Sequence, residues 1–400
     1  MQKLKILFLS SRLPYPPIGG DRLKNYWLLK ILSNHFKVHL VSLAEKKVPK
    51  EFYEWANSLN ITYKIFRKRK ISYIINLLKA FLNNWPFQVN YFYFKDVQKY
   101  INTIYKKYDL IFATLIRTAP YVINKNMPKI IDIADSIGLH YKNALSKTRS
   151  LKWKLIYLLE TKRLLNYEQM CINRFNKSLF FNKFEKEYFK NKDKTAWMPH
   201  GVSEDLFKYT KQSKKYSNCI VFFGKMNYQP NIDAVLWFVK NVLPKLNKEL
   251  KVYIVGAYPS EKIKNLEKKY KNIIVTGFVK DPYEIIKSSL CVVAPMQTGG
   301  GIQNKILESM ALGTINIMSS LAAKPIGARH KKEIILADDP KKMAYFINDI
   351  FKNPKKYEYL KDNSKKFIAK NFTWSIYEKN IIKIIKEVVQ NTKTNFLPGQ

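Results

Sequence analysis

The sequence predicts two α/β domains in tandem, each built on a doubly wound parallel sheet. The chain has 400 residues, above the size at which one hydrophobic core usually divides. Its apolar runs are short, aliphatic and β-branched, as in strands buried on both faces, and stretches with helical spacing lie between them. The alternation also restarts near residue 200, after Trp-Met-Pro-His-Gly at 197–201, where proline and glycine interrupt it.

Residues 4–9 are a continuous aliphatic run. Pro-Tyr-Pro-Pro-Ile-Gly-Gly at 14–20 breaks it, residues 21–32 carry apolar positions at helical spacing, and residues 38–43 return to strand, which makes a βαβ unit. Further strands are expected at 110–113, 129–134 and 178–182, and residues 151–174 have the length and period of an extended helix. In the second half, runs at 218–224, 252–256, 272–277 and 290–295 are each followed by a polar turn and a helical stretch. The expected division is 1–198, 199–372 and 373–400, the last a helix over 374–389 that returns to the first domain, with a frayed tail from 391. In open sheets of this kind ligands bind beyond the strand carboxyl ends, so two such domains would face each other across a cleft with the chemistry in the loops after strands.

Lys+Arg number 71 against 30 Asp+Glu, a net charge of +41. Such a balance favours polyanionic partners: nucleic acid, an anionic membrane or phosphorylated substrates. An AT-rich coding sequence gives the same mixture of Lys, Ile, Asn, Tyr and Phe, and the basic residues are scattered rather than gathered in a stripe. No nucleic-acid-binding motif accompanies them. Cys171, Cys219 and Cys291 lack disulfide or metal-ligand spacing and suit a reducing compartment. No apolar run reaches the ~20 residues that span a bilayer, and the first residues do not resemble a secretory signal. A cytoplasmic protein, soluble or peripheral on the inner face of the membrane, is expected.

The segment 294–314, Ala-Pro-Met-Gln-Thr-Gly-Gly-Gly-Ile-Gln-Asn-Lys-Ile-Leu-Glu-Ser-Met-Ala-Leu-Gly-Thr, carries the most chemistry. A strand ends at Pro295, and Gly299, Gly300 and Gly301 allow backbone amides to approach a ligand. A helix expected from about Ile302 adds unpaired N–H groups and a field that favours an anion. Lys305, one turn in, is placed to reach a phosphate, and Glu308 on the same face can accept two hydroxyl hydrogen bonds, as from a ribose. A tight glycine turn with a Lys305–Glu308 surface pair is the alternative.

Gly-x-Gly-x-x-x-Lys-x-x-Glu-x-Met-Ala-x-Gly in this segment closely resembles the donor-site signature of the large retaining GT-B glycosyltransferase family, family-4-like, that includes many lipopolysaccharide and capsule enzymes. Residues 222–238, 275–281, 14–22 and 199–202 resemble further pieces of that family in the same order, and the likeness covers roughly residues 3–380. It implies a GT-B fold and transfer of a sugar, with retention, from a nucleotide-diphosphate donor to a cell-surface glycan or its polyprenyl-linked precursor. By position, Glu308 would hold the ribose hydroxyls, and the amides of Gly300, Gly301 and Ile302, with Gly299 and Gly224 nearby, would meet the diphosphate or sugar. Lys225 and Lys305 would supply positive charge, and Gly19 and Gly20 would let the first loop close over donor or acceptor. His200 is expected beside the donor, in contact with it or in a structural role. Positive charge and amide dipoles would stabilise the departing diphosphate, so neither an enzymic nucleophile, a metal nor a cofactor is expected. Two departures stand out: the first of two family glutamates falls on Gly300, and a family Lys-Gly pair is replaced by Pro230-Asn231.

In the first domain Asp132 and Asp135 follow a strand, placed either to orient an acceptor hydroxyl or, with Ser136, to cap the next helix. Arg117 ends another strand and is a candidate contact to diphosphate or acceptor. The basic segment 64–70 precedes an apolar, aromatic stretch at 71–87, which suits an anionic membrane surface or, alternatively, a basic strand end before a core helix. Competing readings are a non-hydrolysing sugar-nucleotide epimerase, which would need acidic and histidine residues paired across the cleft, a basic nucleic-acid-binding protein, and a silent relative that binds sugar nucleotide as a partner subunit.

Overall fold

The computed structural model describes residues 3–146, 148, 150–299 and 301–394. The chain forms two compact units, His200–Ile376 and, from the remainder, Met1–Pro199 with Tyr377–Gln400.

The first unit contains β1 (Lys5–Ser10), β2 (Lys37–Ala44), β3 (Thr62–Arg67), β4 (Leu110–Thr114), β5 (Lys129–Ala134), β6 (Lys177–Phe180) and β7 (Thr195–Trp197). They lie in the order β3-β2-β1-β4-β5-β6-β7, and every adjacent pair is parallel. The second unit contains β8 (Cys219–Phe223), β9 (Lys251–Val255), β10 (Ile273–Gly277), β11 (Cys291–Ala294), β12 (Asn316–Met318) and β13 (Ile335–Leu336), ordered β10-β9-β8-β11-β12-β13 and again parallel throughout. Each order steps outward from a central strand and then reverses, the doubly wound pattern, with switch points between β1 and β4 and between β8 and β11. Three of those four strands, β4, β8 and β11, are buried along their whole length. Phe8 of β1 lies opposite Phe112 of β4 and stacks on it at 5.5 Å.

Periodicity located the long aliphatic strands to within a residue or two and missed β3, β7, β12 and β13. β3 is an edge strand whose residues alternate between exposed and half-buried, including Lys64 and Arg67, so its composition is polar. The other three have only two or three residues, too few to show a period.

The long helix is Leu151–Arg174, as its period predicts, but its buried residues, among them Leu164, Tyr167, Cys171 and Ile172, all fall between 160 and 172. The final helix, Trp374–Thr394, runs past 389. From Tyr377 onward it belongs to the first unit, where Tyr377, Ile381, Ile385 and Val388 form a buried stripe at helical spacing. Of the expected frayed tail, residues 391–394 are helical and 395–400 lie outside the described residues.

Candidate active site

The second unit is assembled around the ends of β8 and β11. Gly224 and Gly256, just beyond β8 and β9, have φ of 141° and 149°, and a Cβ on Gly256 would stand 1.8 Å from the Gly224 carbonyl oxygen. Only glycine permits this approach, which brings the ends of β8 and β9 together, and a Cβ on Gly224 would stand 3.0 Å from Asn231 Nδ2 of the helix Gln229–Asn241.

Asn231, in the first turn of that helix, is buried and holds two segments at once. Its amide donates to the Lys225 carbonyl at 2.9 Å, and its Oδ1 accepts from Lys305 Nζ at 2.7 Å. The Lys305 ammonium also lies 4.1 Å from the centre of the Phe222 ring and 3.6 Å from Met296 Sδ. Every partner is neutral. Burial without a carboxylate lowers the Lys305 pKa to about 7. A cation held this way is prepared for an incoming anion, which would restore its proton affinity.

Lys305 and Glu308 sit on the helix Asn304–Ala311. That helix starts two residues later than the sequence suggests, because Gln303 takes the extended N-cap conformation, so Lys305 is its second residue rather than one turn in. Lys305 and Glu308 do not pair with each other. Among the described residues the Glu308 carboxylate has no hydrogen-bond or ion-pair partner, and burial raises its pKa to about 7. Its charge is felt by Tyr283, whose own hydroxyl pKa is raised by burial first and by Glu308 second. One helix turn therefore presents a half-buried cation and a half-buried acid, both without counter-charge among the described residues.

The loop between β11 and this helix includes Gly299 at φ 98° and the buried Ile302. Gly301 is half-buried, and Gly300, a candidate donor contact and the position of the missing family glutamate, lies outside the described residues. Lys225 is exposed, with its ammonium 5.8 Å from the Tyr258 ring centre. His200 is buried and its Nε2 meets the Asn304 side chain, tying the start of this unit to the first residue of the helix Asn304–Ala311.

In the first unit the loop after β1 leads through Gly19, at φ 102°, into the helix Gly20–His35. Asn25 on that helix donates to Ser10 Oγ at 3.0 Å and Thr114 Oγ1 at 3.3 Å, tying together the ends of β1 and β4. Arg117 follows β4 and donates to Gln88 at 3.0 Å. Burial, and then the charge of Arg12, lower its pKa to about 10, which leaves it cationic at neutral pH. Arg12 and Arg117 flank the Phe92 ring at 5.8 and 4.9 Å. A cavity of about 260 Å³ opens beside Arg12, with Tyr15, Arg22, Lys46, Lys47 and Tyr73 among its walls.

Asp132 and Asp135 separate into different roles. Asp132 is buried against the Lys24 ammonium, which itself lies 3.5 Å from the Phe181 ring centre. The helix Ile137–Leu145 is capped by Ser136, whose Oγ accepts from the Leu139 amide at 3.1 Å, and Asp135 takes no part in the cap. Ser136 is held in turn by Glu168 at 2.6 Å and by Glu185 at 2.6 Å through its amide. Glu185 also meets His140 Nε2 at 3.1 Å. Asp135 Oδ1 is buried without a hydrogen-bond partner, and its pKa is raised to about 6 by burial and by Glu185, against the pull of His140 and Lys24. Ligand atoms of Asp135, His140 and Glu185 all lie within 4.8 Å of one another, close enough to share a proton or hold a cation. Sequence reasoning missed Asn231, Arg12, Lys24, His140, Glu168 and Glu185. Only Asn231 had a local signal, as half of the Pro230-Asn231 that replaces the family's Lys-Gly pair.

The order of strands and the donor loop define a class. The chain has the GT-B fold, two parallel-sheet α/β units of the kind found in nucleotide-sugar transferases. Residues 217–353, within the second unit, match the family model described as glycosyl transferases group 1. Over 384 residues the chain is 23% identical to an uncharacterised 44.6 kDa protein of the cps region of Klebsiella pneumoniae, covering 92% of this chain and 96% of that one. Among solved structures it is similar to Anabaena HepE in complex with UDP and glucose, at TM-score 0.64 and 13% identity over 96% of this chain and 100% of that one. Sucrose-phosphate synthase from Thermosynechococcus elongatus superposes at TM-score 0.69 and 14% identity, covering 97% and 100%. A variant of S. aureus TarM, solved with fondaparinux, alpha-GlcNAc-glycerol and UDP, gives 0.66 at 11% identity, covering 96% and 99%.

Proposed function

We propose that the protein transfers a sugar, with retention, from a nucleotide-diphosphate donor to an envelope glycan or its lipid-linked precursor. The observation that carries this reading is the placement of Lys305 and Glu308 on one helix turn at the β8–β11 switch point, both half-buried and neither with a counter-charge among the described residues. A nucleoside diphosphate has what each lacks. Its phosphates meet Lys305 and, from the loop after β8, Lys225, and its ribose hydroxyls donate to Glu308. The amides of the glycine loop add dipoles where charge develops as the bond from the anomeric carbon to the diphosphate breaks. The acceptor oxygen attacks from the face the diphosphate leaves, and its proton passes to the departing phosphate oxygen. HepE and TarM, solved with UDP, support a uridine donor, and the cps-region relative supports a capsule-type glycan.

For the acceptor we assign the first unit. Arg117 and Arg12 at the β1–β4 switch point suit an acceptor that carries phosphate, as does the basic cavity beside them. Asp135, just after β5, has a buried oxygen without a hydrogen-bond partner, and it orients the acceptor hydroxyl.

Thermal shift with UDP, GDP, ADP, CMP and dTDP tests the donor half of this reading. One nucleotide should raise Tm, and Glu308→Ala should abolish that rise. If no nucleotide stabilises the protein, donor binding is wrong and transfer falls with it. If one stabilises it but no sugar moves from its diphosphate conjugates to lipid-linked acceptors, the chain is a binding relative rather than a transferase.

A further inference from the structure

The helix Lys70–Leu78 divides its faces cleanly. Tyr73 and Asn76 are buried, and Tyr73 forms part of the wall of the basic cavity. Ile71, Ile74, Ile75 and Leu78 point outward, and the line continues to Leu82, which is 87% exposed. Apolar residues at i, i+3, i+4 and i+7 on a solvent face are the reverse of an ordinary surface helix.

A second exposed apolar stripe lies on the long helix Leu151–Arg174. Leu151, Leu155 and Leu159 stand four residues apart on one face with Leu158 beside them, and Leu151 is 84% exposed. Four residues further along the same stripe, Arg163 donates to the Ala80 carbonyl at 3.3 Å. Phe87 donates its amide to Glu160 at 2.7 Å, and Phe81 packs on Phe87 at 5.4 Å. These contacts join the two stripes into one apolar surface.

Charge decides what covers it. Residues 55–95 contain seven Lys or Arg and no Asp or Glu, and residues 137–159 contain five Lys or Arg and no Asp or Glu. Lys64, Arg67, Arg69, Lys70, Lys79, Lys152 and Lys154 are exposed around the patch. A second copy of the chain would set one cationic surface against another, which like-charge repulsion opposes. An anionic bilayer offers apolar depth for the isoleucines and leucines and phosphate at its rim for the lysines and arginines. We propose that this surface docks the protein onto an anionic lipid bilayer, with the helix Lys70–Leu78 lying in the interface. The same helix then has one face in lipid and Tyr73 at the cavity assigned to the acceptor, which gives a lipid-anchored substrate a short path. Docking itself does not depend on the donor reading.

The test is flotation of the full-length protein with vesicles of phosphatidylcholine alone or of phosphatidylcholine mixed with phosphatidylglycerol. Binding is expected to the mixed vesicles, and to fall steeply with added salt. Ile74→Ser with Leu78→Ser, and separately Leu155→Ser with Leu159→Ser, should each weaken it about tenfold or more, since each removes two buried apolar side chains. Both sites are exposed, so the variants should keep the wild-type melting temperature and nucleotide-induced shift, which separates failed docking from failed folding or donor binding. Wild-type partition by both variants, equal binding to neutral vesicles, or concentration-dependent self-association that the same substitutions abolish would each overturn the proposal.

Discussion

The two sheets share a strand order, yet the charged groups near their carboxyl ends are treated in opposite ways. In the first unit the charges at the strand ends have ionic partners, Lys24 facing Asp132 and Glu185 meeting His140. Glu168 is held by the neutral donors Ser136 and Gly138, and buried Lys129 by backbone carbonyls. In the second unit Lys305 has only neutral partners and Glu308 has none among the described residues. Leaving a charged group buried and unpaired costs several kcal/mol unless its pKa moves. Both have moved to about 7, from opposite directions. We read the paired Lys24 and Asp132 as scaffold, and Lys305 with Glu308 as a place kept for a ligand.

Breaking the answered charge should give the largest change. Lys24→Met leaves Asp132 buried without its counter-ion, and denaturant unfolding should show a loss of about 3–5 kcal/mol. Nucleotide binding by the folded fraction should be unaltered. If the variant unfolds like wild type, the Lys24–Asp132 pair is not a structural element and the contrast between the units fails.

The unanswered charge should behave the other way. Lys305→Met removes a half-buried, desolvated ammonium, so the ligand-free protein should hold or gain about 1 kcal/mol of stability, while affinity for the stabilising nucleotide falls about 30- to 150-fold, as for loss of a charged hydrogen bond worth ~2–3 kcal/mol. Glu308→Gln should show the same opposition with a smaller loss of affinity. Calorimetric titration alongside thermal melts reads both quantities, and a destabilised Lys305→Met would make Lys305 another structural cation.

Much of this contrast was readable before any coordinates, but unevenly. The donor loop was legible because Gly299, Lys305 and Glu308 are close in sequence and their spacing is set by one turn and one helix. The first unit's network was not. Lys24 and Asp132 are separated by more than a hundred residues, and Glu168 and Glu185 reach Ser136 from two later helices. Nothing in local period or composition brings such residues together. Strand positions followed the same rule: runs buried on both faces announced themselves, whereas the polar edge strand β3 and the two-residue β13 carried no pattern. The apolar stretch at 71–87 was recognisable as amphipathic, but only the burial of Tyr73 showed which side it turns outward.

The pH dependence of donor binding sharpens the comparison further. Lys305 binds phosphate as the ammonium, present below about pH 7 in the free protein, so affinity should fall as pH rises through that value. Glu308 accepts hydroxyls best as the carboxylate, present above about pH 7, so affinity should fall on the acid side as well. Wild-type affinity is then bell-shaped with a maximum near neutrality. Lys305→Met should lose the alkaline limb and Glu308→Gln the acid limb. The ligand-free protein should show the inverse. Between the ordinary glutamate pKa and about 7 the folded state holds the extra proton, so stability falls with rising pH. From about 7 to the ordinary lysine pKa the unfolded state does, so stability recovers.

Asp135 is the point at which the first unit behaves like the second, and it carries the smallest predicted effect. Its pKa of about 6 lies above the ordinary aspartate value, so the folded protein retains a proton that the unfolded chain has lost, and stability declines as pH rises from about 4 through 6. Asp135→Asn removes that burden. At pH 7 it should stabilise the protein by about 1 kcal/mol, and the gain should vanish below about pH 4, where both forms are neutral. If Asp135 orients the acceptor, the same variant should lower kcat and leave nucleotide affinity unchanged, the complement of Lys305→Met. A destabilised Asp135→Asn would instead mean that His140 and Glu185 need the Asp135 charge, and the cluster would join Lys24–Asp132 as scaffold.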